Sequence, residues 1–89
     1  MNYLKTLKFG SKKLKLKNID SHILDSELLL CSALKLSREK ILINLNKNIK
    51  KKNFDKFKKL LSRREKKEPI AYIIKKKEFW RNNFFFNND

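Results

Sequence analysis

The 89-residue chain contains one glycine, one proline, one cysteine and a single histidine. Each scarcity removes a class of chemistry. Loops that cradle phosphate or a dinucleotide set several glycines together so that backbone N–H groups can approach the anion, and Gly10 alone cannot build one. A lone cysteine excludes an intrachain disulfide and a multi-thiolate zinc site, so the chain reads as intracellular. His22 is the only imidazole available to a Ser/His/Asp triad, and no Gly-x-Ser-x-Gly elbow presents a serine to it. It reads instead as a polar residue in the first turn of a helix. No apolar run approaches the roughly 20 residues that span a bilayer, which excludes a transmembrane role. Acids are scarce as well, with nine Asp+Glu against 24 Lys+Arg and a formal charge of +15.

What remains is enough for one small domain. The hydrophobic share, 40%, exceeds that of a disordered polycation, and a chain of this size can bury roughly 60–68% of its unfolded surface. The charge has a source other than a polyanionic partner. Twenty of the bases are lysine, and the chain is also crowded with Asn, Ile and Phe, residue types that share A/T-rich codons. Net charge speaks to solubility and nonspecific binding and does not identify a ligand. Its distribution is more informative: residues 1–19 carry +6, 20–45 carry −1, 46–69 carry +8 and 70–89 carry +2. Two positive segments flank a nearly neutral one, which suits a packed centre with solvated outer helices.

Leu4, Leu7 and Leu14 keep helical spacing, with Ser11 in the missing turn, and predict a helix from about Tyr3 to Lys17. An acid-free basic amphipathic start also matches a transit peptide or a membrane-surface helix, but this one has no Arg and no small-residue cleavage signal follows it. Asn18 stands where a left-handed residue stops a helix, with Ile19 packing just beyond. Asp20 or Ser21 can cap the next helix, and Asp25 and Glu27 lie near its positive end. The stripe of that helix is Leu24, Leu28, Cys31 and Leu34, broadened by Leu29 and Leu30. It is the most apolar helix and therefore central. Cys31 reads as a small buried hydrophobe, since no second Cys or neighbouring His activates it.

Ser37 caps a short helix with Glu39 in its first turn, and this helix offers Ile41, Leu42 and Leu45 to the interior. Residues 46–52 form a loop. Asn53 or Asp55 begins an amphipathic helix in which Phe54, Phe57, Leu60 and Leu61 share a face, and Pro69 ends it by about Lys67. Pro69 then opens a last helix that buries Ile70, Ile73 and Ile74, with Tyr72 on its flank. Finally, Phe79, Trp80, Phe84, Phe85 and Phe86 surround Arg81, Asn82 and Asn83, a pattern that predicts a two-stranded hairpin. Such a ribbon needs a cover for its aromatic surface. The natural polypeptide is therefore expected to continue past Asp89 or to dock on a partner there.

These segments resemble the N-terminal helical domain of the release factor glutamine methyltransferases, the PrmC/HemK family. The run from Ile19 through Asp20, Ser21, Asp25 and Glu27 to Leu30 is similar to the family's GI-(D/S)-S-P-R-x-D-A-E-x-L-L segment. Leu36-Ser37-Arg38-Glu39 resembles its L-S-R-E/D helix start. Arg63-Arg64 followed by Glu68-Pro69-Ile70-Ala71-Tyr72-Ile73-Ile74 resembles its R-R-x-x-x-E-P run, and Glu78-Phe79-Trp80 its connecting hairpin. The family usually has glycine where this chain has Asn18, Lys75 and Arg81, and often proline at His22. A lysine at a left-handed helix stop costs roughly 1 kcal/mol.

The resemblance implies an all-α fold, a small bundle of about five helices over residues 1–76, and a hairpin or linker over 77–89 leading to a Rossmann-like domain. In the family that second domain transfers a methyl group from S-adenosylmethionine to the glutamine of the release factor's Gly-Gly-Gln loop. Neither its glycine-rich cofactor loop nor its Asn-Pro-Pro-Tyr motif occurs here, so no catalytic, cofactor-binding or metal-binding residue carries over, and the chain alone is expected to be silent. The implied partners are peptide-chain release factors and a C-terminal methyltransferase domain, in the cytoplasm. The alternative is a small nucleic-acid-binding protein presenting Lys50 to Lys52, Lys56, Lys58, Lys59, Arg63, Arg64, Lys66 and Lys67 to phosphates. A third reading is a nonfunctional remnant.

Overall fold

The computed structural model describes residues 1–74, which form five helices: α1 (Tyr3–Leu16), α2 (His22–Leu34), α3 (Arg38–Leu42), α4 (Lys51–Glu65) and α5 (Ile70–Ile73). The expected helical bundle is present. The hairpin expected from the aromatic cluster, and the Lys75 helix stop, lie outside the described residues.

α1 starts where Asn2 accepts a hydrogen bond from the Lys5 amide at 2.8 Å. Two more of its orphan N–H groups are met from a distance: Tyr3 donates to the Lys47 carbonyl at 2.9 Å and Leu4 to that of Leu45 at 3.0 Å. The loop before α4 thus closes over the start of α1, and Asn2 pairs with Asn48 as an isolated antiparallel bridge. The other end stops as anticipated. Asn18 takes φ 62°, its amide returns to the Lys15 carbonyl, and the Ile19 amide returns to that of Leu14 at 3.1 Å. This Schellman arrangement buries Ile19.

The same left-handed device recurs at Lys35, φ 57°, and Lys67, φ 71°. Sequence reasoning missed both, because a lysine carries no signal for positive φ, and each costs roughly 1 kcal/mol. At Lys67 two bonds offset that cost: its amide reaches the Arg64 carbonyl at 2.8 Å, and the Glu68 amide reaches that of Arg63. Pro69 follows with φ −58° and ψ 135° as the residue before α5, so the helix predicted to open at Pro69 begins one residue later, at Ile70.

α2 is central, packing on α1, α3 and α4, and of the predicted stripe Leu29, Leu30 and Cys31 are buried and Leu28 and Leu34 half-buried, Leu24 being the exception. Asp25, Ser26, Leu29, Leu30, Cys31, Ser32 and Ala33 are buried, whereas Leu24 is 45% exposed. Asp25 and Ser26 join the buried face because each has an inward partner that hydrophobic periodicity does not register. Ser21 corrects the cap prediction: its hydroxyl donates to the Asp25 carboxylate at 2.8 Å rather than accepting a backbone N–H. Ser37 does cap α3, accepting from the Lys40 amide at 3.1 Å.

α4 begins at Lys51, earlier than Asn53 or Asp55, with no side-chain cap at Lys50. The tie from Met1 to Leu4 onto residues 45–49 fixes that loop and lets the helix start early. Asp55 instead sits between Lys51 and Lys58 at 3.3 and 3.8 Å. Phe57 and Leu61 are buried, Phe54 and Leu60 half-buried, as the stripe predicts.

The sole glycine lies in the middle of α1 rather than in a turn. A Cβ on Gly10 would stand 2.5 Å from Ser26 Oγ and 2.6 Å from Phe57 Cζ. The space a side chain would need at Gly10 is filled by Ser26 of α2 and the Phe57 ring of α4, and the Ser26 hydroxyl donates across the crossing to the Leu7 carbonyl at 2.8 Å.

Candidate functional site

Two side-chain constellations stand out, one internal and one on the surface. The internal one joins α2 to α4. Arg64 Nε donates to Asp25 Oδ2 at 2.8 Å, and Arg64 Nη1 donates to the Glu68 carbonyl at 2.9 Å. The Asp25 side chain is 3% exposed, so its charge is held by the guanidinium and the Ser21 hydroxyl together. A buried carboxylate demands such partners. Arg64 is therefore a structural strut and not a phosphate-facing residue. Its neighbour Arg63 is also engaged, bonding Glu68 through two nitrogens. That hydrogen-bonded pair holds the Glu68 carboxyl below its usual range.

The surface constellation is a groove of about 510 Å³ where α1, α2 and α3 meet. Leu4 and Leu7 of α1, Ile23 of α2, and Leu42 with Leu45 form its apolar walls, and Lys8, Lys12 and Lys15 line it from α1. Leu42 was expected inside and is instead 41% exposed, because α3 has only five residues and turns Ile41 alone fully inward. Ile23 is 62% exposed.

Within this groove Ser11 Oγ and His22 Nδ1 are in hydrogen-bond contact at 2.7 Å. A hydroxyl on an imidazole is the first element of a hydrolytic dyad, but catalysis also needs a group that orients the ring and donors for an oxyanion. Among the described residues no carboxylate bonds the His22 ring, and the pair joins the start of α2 to the middle of α1. Sequence reading placed both residues on helices and missed their meeting.

Cys31 is buried and its thiol is pushed up to about 12, chiefly by loss of hydration. It stays protonated at neutral pH and is no nucleophile. Among the described residues no group of three or more His, Cys, Asp or Glu could hold a metal ion, and no helix is long and apolar enough to cross a membrane. The remaining basic surface is the outer side of α4, where Lys51, Lys52, Asp55, Lys56 and Lys59 surround a second depression. At the seam of α1 and α4, Phe9 and Phe54 pack 5.6 Å apart, covered by Lys13 and Lys58 over their rings.

Fold and surface together define a small helical module with an apolar groove beside a row of lysines. Comparison with known proteins gives it a family. The PrmC N-terminal domain matches residues 5–74, and the chain belongs to that family. It is 41% identical over 78 residues to a bifunctional methyltransferase of Rickettsia felis, covering 88% of this chain and 15% of that protein. It is 41% identical over 66 residues to a release factor glutamine methyltransferase of Buchnera aphidicola subsp. Schizaphis graminum, covering 74% of this chain and 24% of that one. The corresponding Leptospira interrogans enzyme is 34% identical over 86 residues, covering 97% and 30%. The chain thus spans less than a third of the length of these relatives. No solved structure matches it.

Proposed function

We propose that this chain is the release-factor-recognising N-terminal domain of a glutamine methyltransferase. On this reading residues 1–76 hold the release factor, and residues 77–89 connect to a Rossmann-like domain that methylates the Gly-Gly-Gln glutamine with S-adenosylmethionine in the cytoplasm. The supporting observation is the family match across residues 5–74, joined to relatives named for release factor glutamine methylation. The residues that carry the resemblance also have architectural work to do: Asp25 and Arg64 bind α2 to α4, and Ser37 starts α3.

The nucleic-acid reading is weakened by the same geometry, because Arg63 and Arg64 are committed to Glu68 and Asp25. Isothermal titration of the chain with an unmethylated peptide-chain release factor, and separately with single-stranded RNA, tests the choice. The expected result is saturable release-factor binding that weakens by no more than about tenfold between roughly 50 and 200 mM salt, a range over which phosphate-driven binding falls about 10³-fold or more. RNA binding with that steep salt dependence, together with indifference to release factor, overturns the proposal.

A further inference from the structure

The groove between α1, α2 and α3 is apolar on its walls and positive on one edge. Lys8, Lys12 and Lys15 follow i, i+4, i+7 spacing along α1, which sets them in one row about 10 Å long. Residues 1–19 contain no acid, and among the described residues none of these three lysines forms an ion pair. The one acid that lines the groove, Glu27, is engaged by Arg38 at 2.7 Å. Opposite the lysines, Ile23 and Leu42 leave large aliphatic surface open to water. Free cations on one edge and uncovered leucine and isoleucine on the other complement an amphipathic segment with apolar side chains on one face and carboxylates along its margin.

We infer that this groove receives an acidic amphipathic segment of the release factor, about two helical turns long. Its apolar side chains pack against Leu7, Ile23 and Leu42, and its carboxylates meet Lys8, Lys12 and Lys15. The inference rests on the release-factor reading and deepens it by naming the surface and the chemistry recognised. A nucleic acid fits this surface less well. Its backbone has no use for aliphatic walls, and the one ring lining the groove on which a base could stack is the His22 imidazole, whose Nδ1 is in contact with Ser11. The depression at the start of α4 differs in kind, being lined by lysines and Asp55 with no aliphatic residue.

The test uses the full chain and a full-length release factor in fluorescence anisotropy titrations, with circular dichroism confirming that each variant keeps its helicity. Leu42→Asp and the triple variant Lys8→Glu, Lys12→Glu, Lys15→Glu are each expected to weaken binding about tenfold or more. The loss in the triple variant shrinks as salt rises, whereas that in Leu42→Asp persists. Lys56→Glu with Lys59→Glu on α4 changes binding less than about twofold, as expected for charges outside the contact. Should wild type bind release factor while Leu42→Asp and the triple variant bind equally well, the groove assignment falls and the broader reading stands. If wild type itself does not bind, both fall. Polyuridine RNA that displaces the release factor from wild type and loses its own binding in the triple variant would reassign the lysine row to phosphates and overturn the inference.

Discussion

The two sides of α2 are built on different terms. Toward α1 and α4 it meets a glycine-enabled helix crossing, a hydroxyl-to-carbonyl bond from Ser26 to Leu7, the buried ring of Phe57 and the Asp25–Arg64 pair. Toward α3 it presents Ile23, 62% exposed, beside a five-residue helix whose Leu42 is itself 41% exposed. One side is closed by specific partners and the other is left apolar and open. The difference teaches that stability and recognition are divided between the faces of one helix: rigidity comes from the crossing, and the uncovered aliphatic surface is available to a partner.

That division can be broken most severely at Arg64. Arg64→Met keeps the aliphatic stem and removes the donors to Asp25 and to the Glu68 carbonyl, leaving a buried carboxylate with the Ser21 hydroxyl alone. Urea denaturation should report a loss of about 3 kcal/mol, the usual result of stranding one member of a buried pair. A variant as stable as wild type would mean that Asp25 is well hydrated and that the strut carries little.

A smaller loss is expected at Gly10. Alanine there gains about 1 kcal/mol of helix propensity, but its Cβ enters the space of Ser26 Oγ and Phe57 Cζ. Ser26 is tied to the Leu7 carbonyl and Phe57 is fully buried, so neither can move aside cheaply. Overpacking of about 1–3 kcal/mol outweighs the gain, and Gly10→Ala should lower the melting temperature. Combining it with Phe57→Leu should cost less than the sum of the two single changes, since the smaller side chain vacates the contested volume. Strict additivity would place the strain elsewhere.

The smallest effect belongs to the open side. Leu42→Gln removes an exposed aliphatic side chain that closes no core, and unfolding should shift by less than about 0.5 kcal/mol. A drop comparable to that of Gly10→Ala would show the α3 flank to be part of the fold's foundation and would erase the contrast between the two sides of α2.

Much of the architecture was legible before any coordinates. The five helices, the left-handed stop at Asn18, the Ser37 cap, the break at Pro69 and the buried thiol of Cys31 all follow from local rules: periodicity, cap chemistry and proline geometry. The misses share a cause. Of the stripe expected on α2, Leu29, Leu30 and Cys31 are buried and Leu28 and Leu34 half-buried, whereas Leu24 is exposed and Asp25 and Ser26 take the inward positions, because periodicity weighs hydrophobicity alone and cannot register a carboxylate or a hydroxyl drawn inward by a partner on another helix. The early start of α4 depends on loop bonds to residues 1–4, which are remote in sequence. Among the site residues, the acid-free, basic character of α1 is visible in the sequence, whereas the meeting of Lys8, Lys12 and Lys15 with Ile23 and Leu42 is not.

The sequence by itself determined that this chain makes amphipathic helices, where most of them stop, and that their outer surfaces are strongly basic, because those properties depend on neighbours within a few positions. Only the tertiary structure decided which charges are free. Arg64 and Arg63 read like any other basic residues until Asp25 and Glu68 arrive beside them, and Gly10 looks like a flaw in a helix until two other helices cross it. Pairing and close approach are relations between distant residues, and a linear pattern does not contain them until the chain has folded.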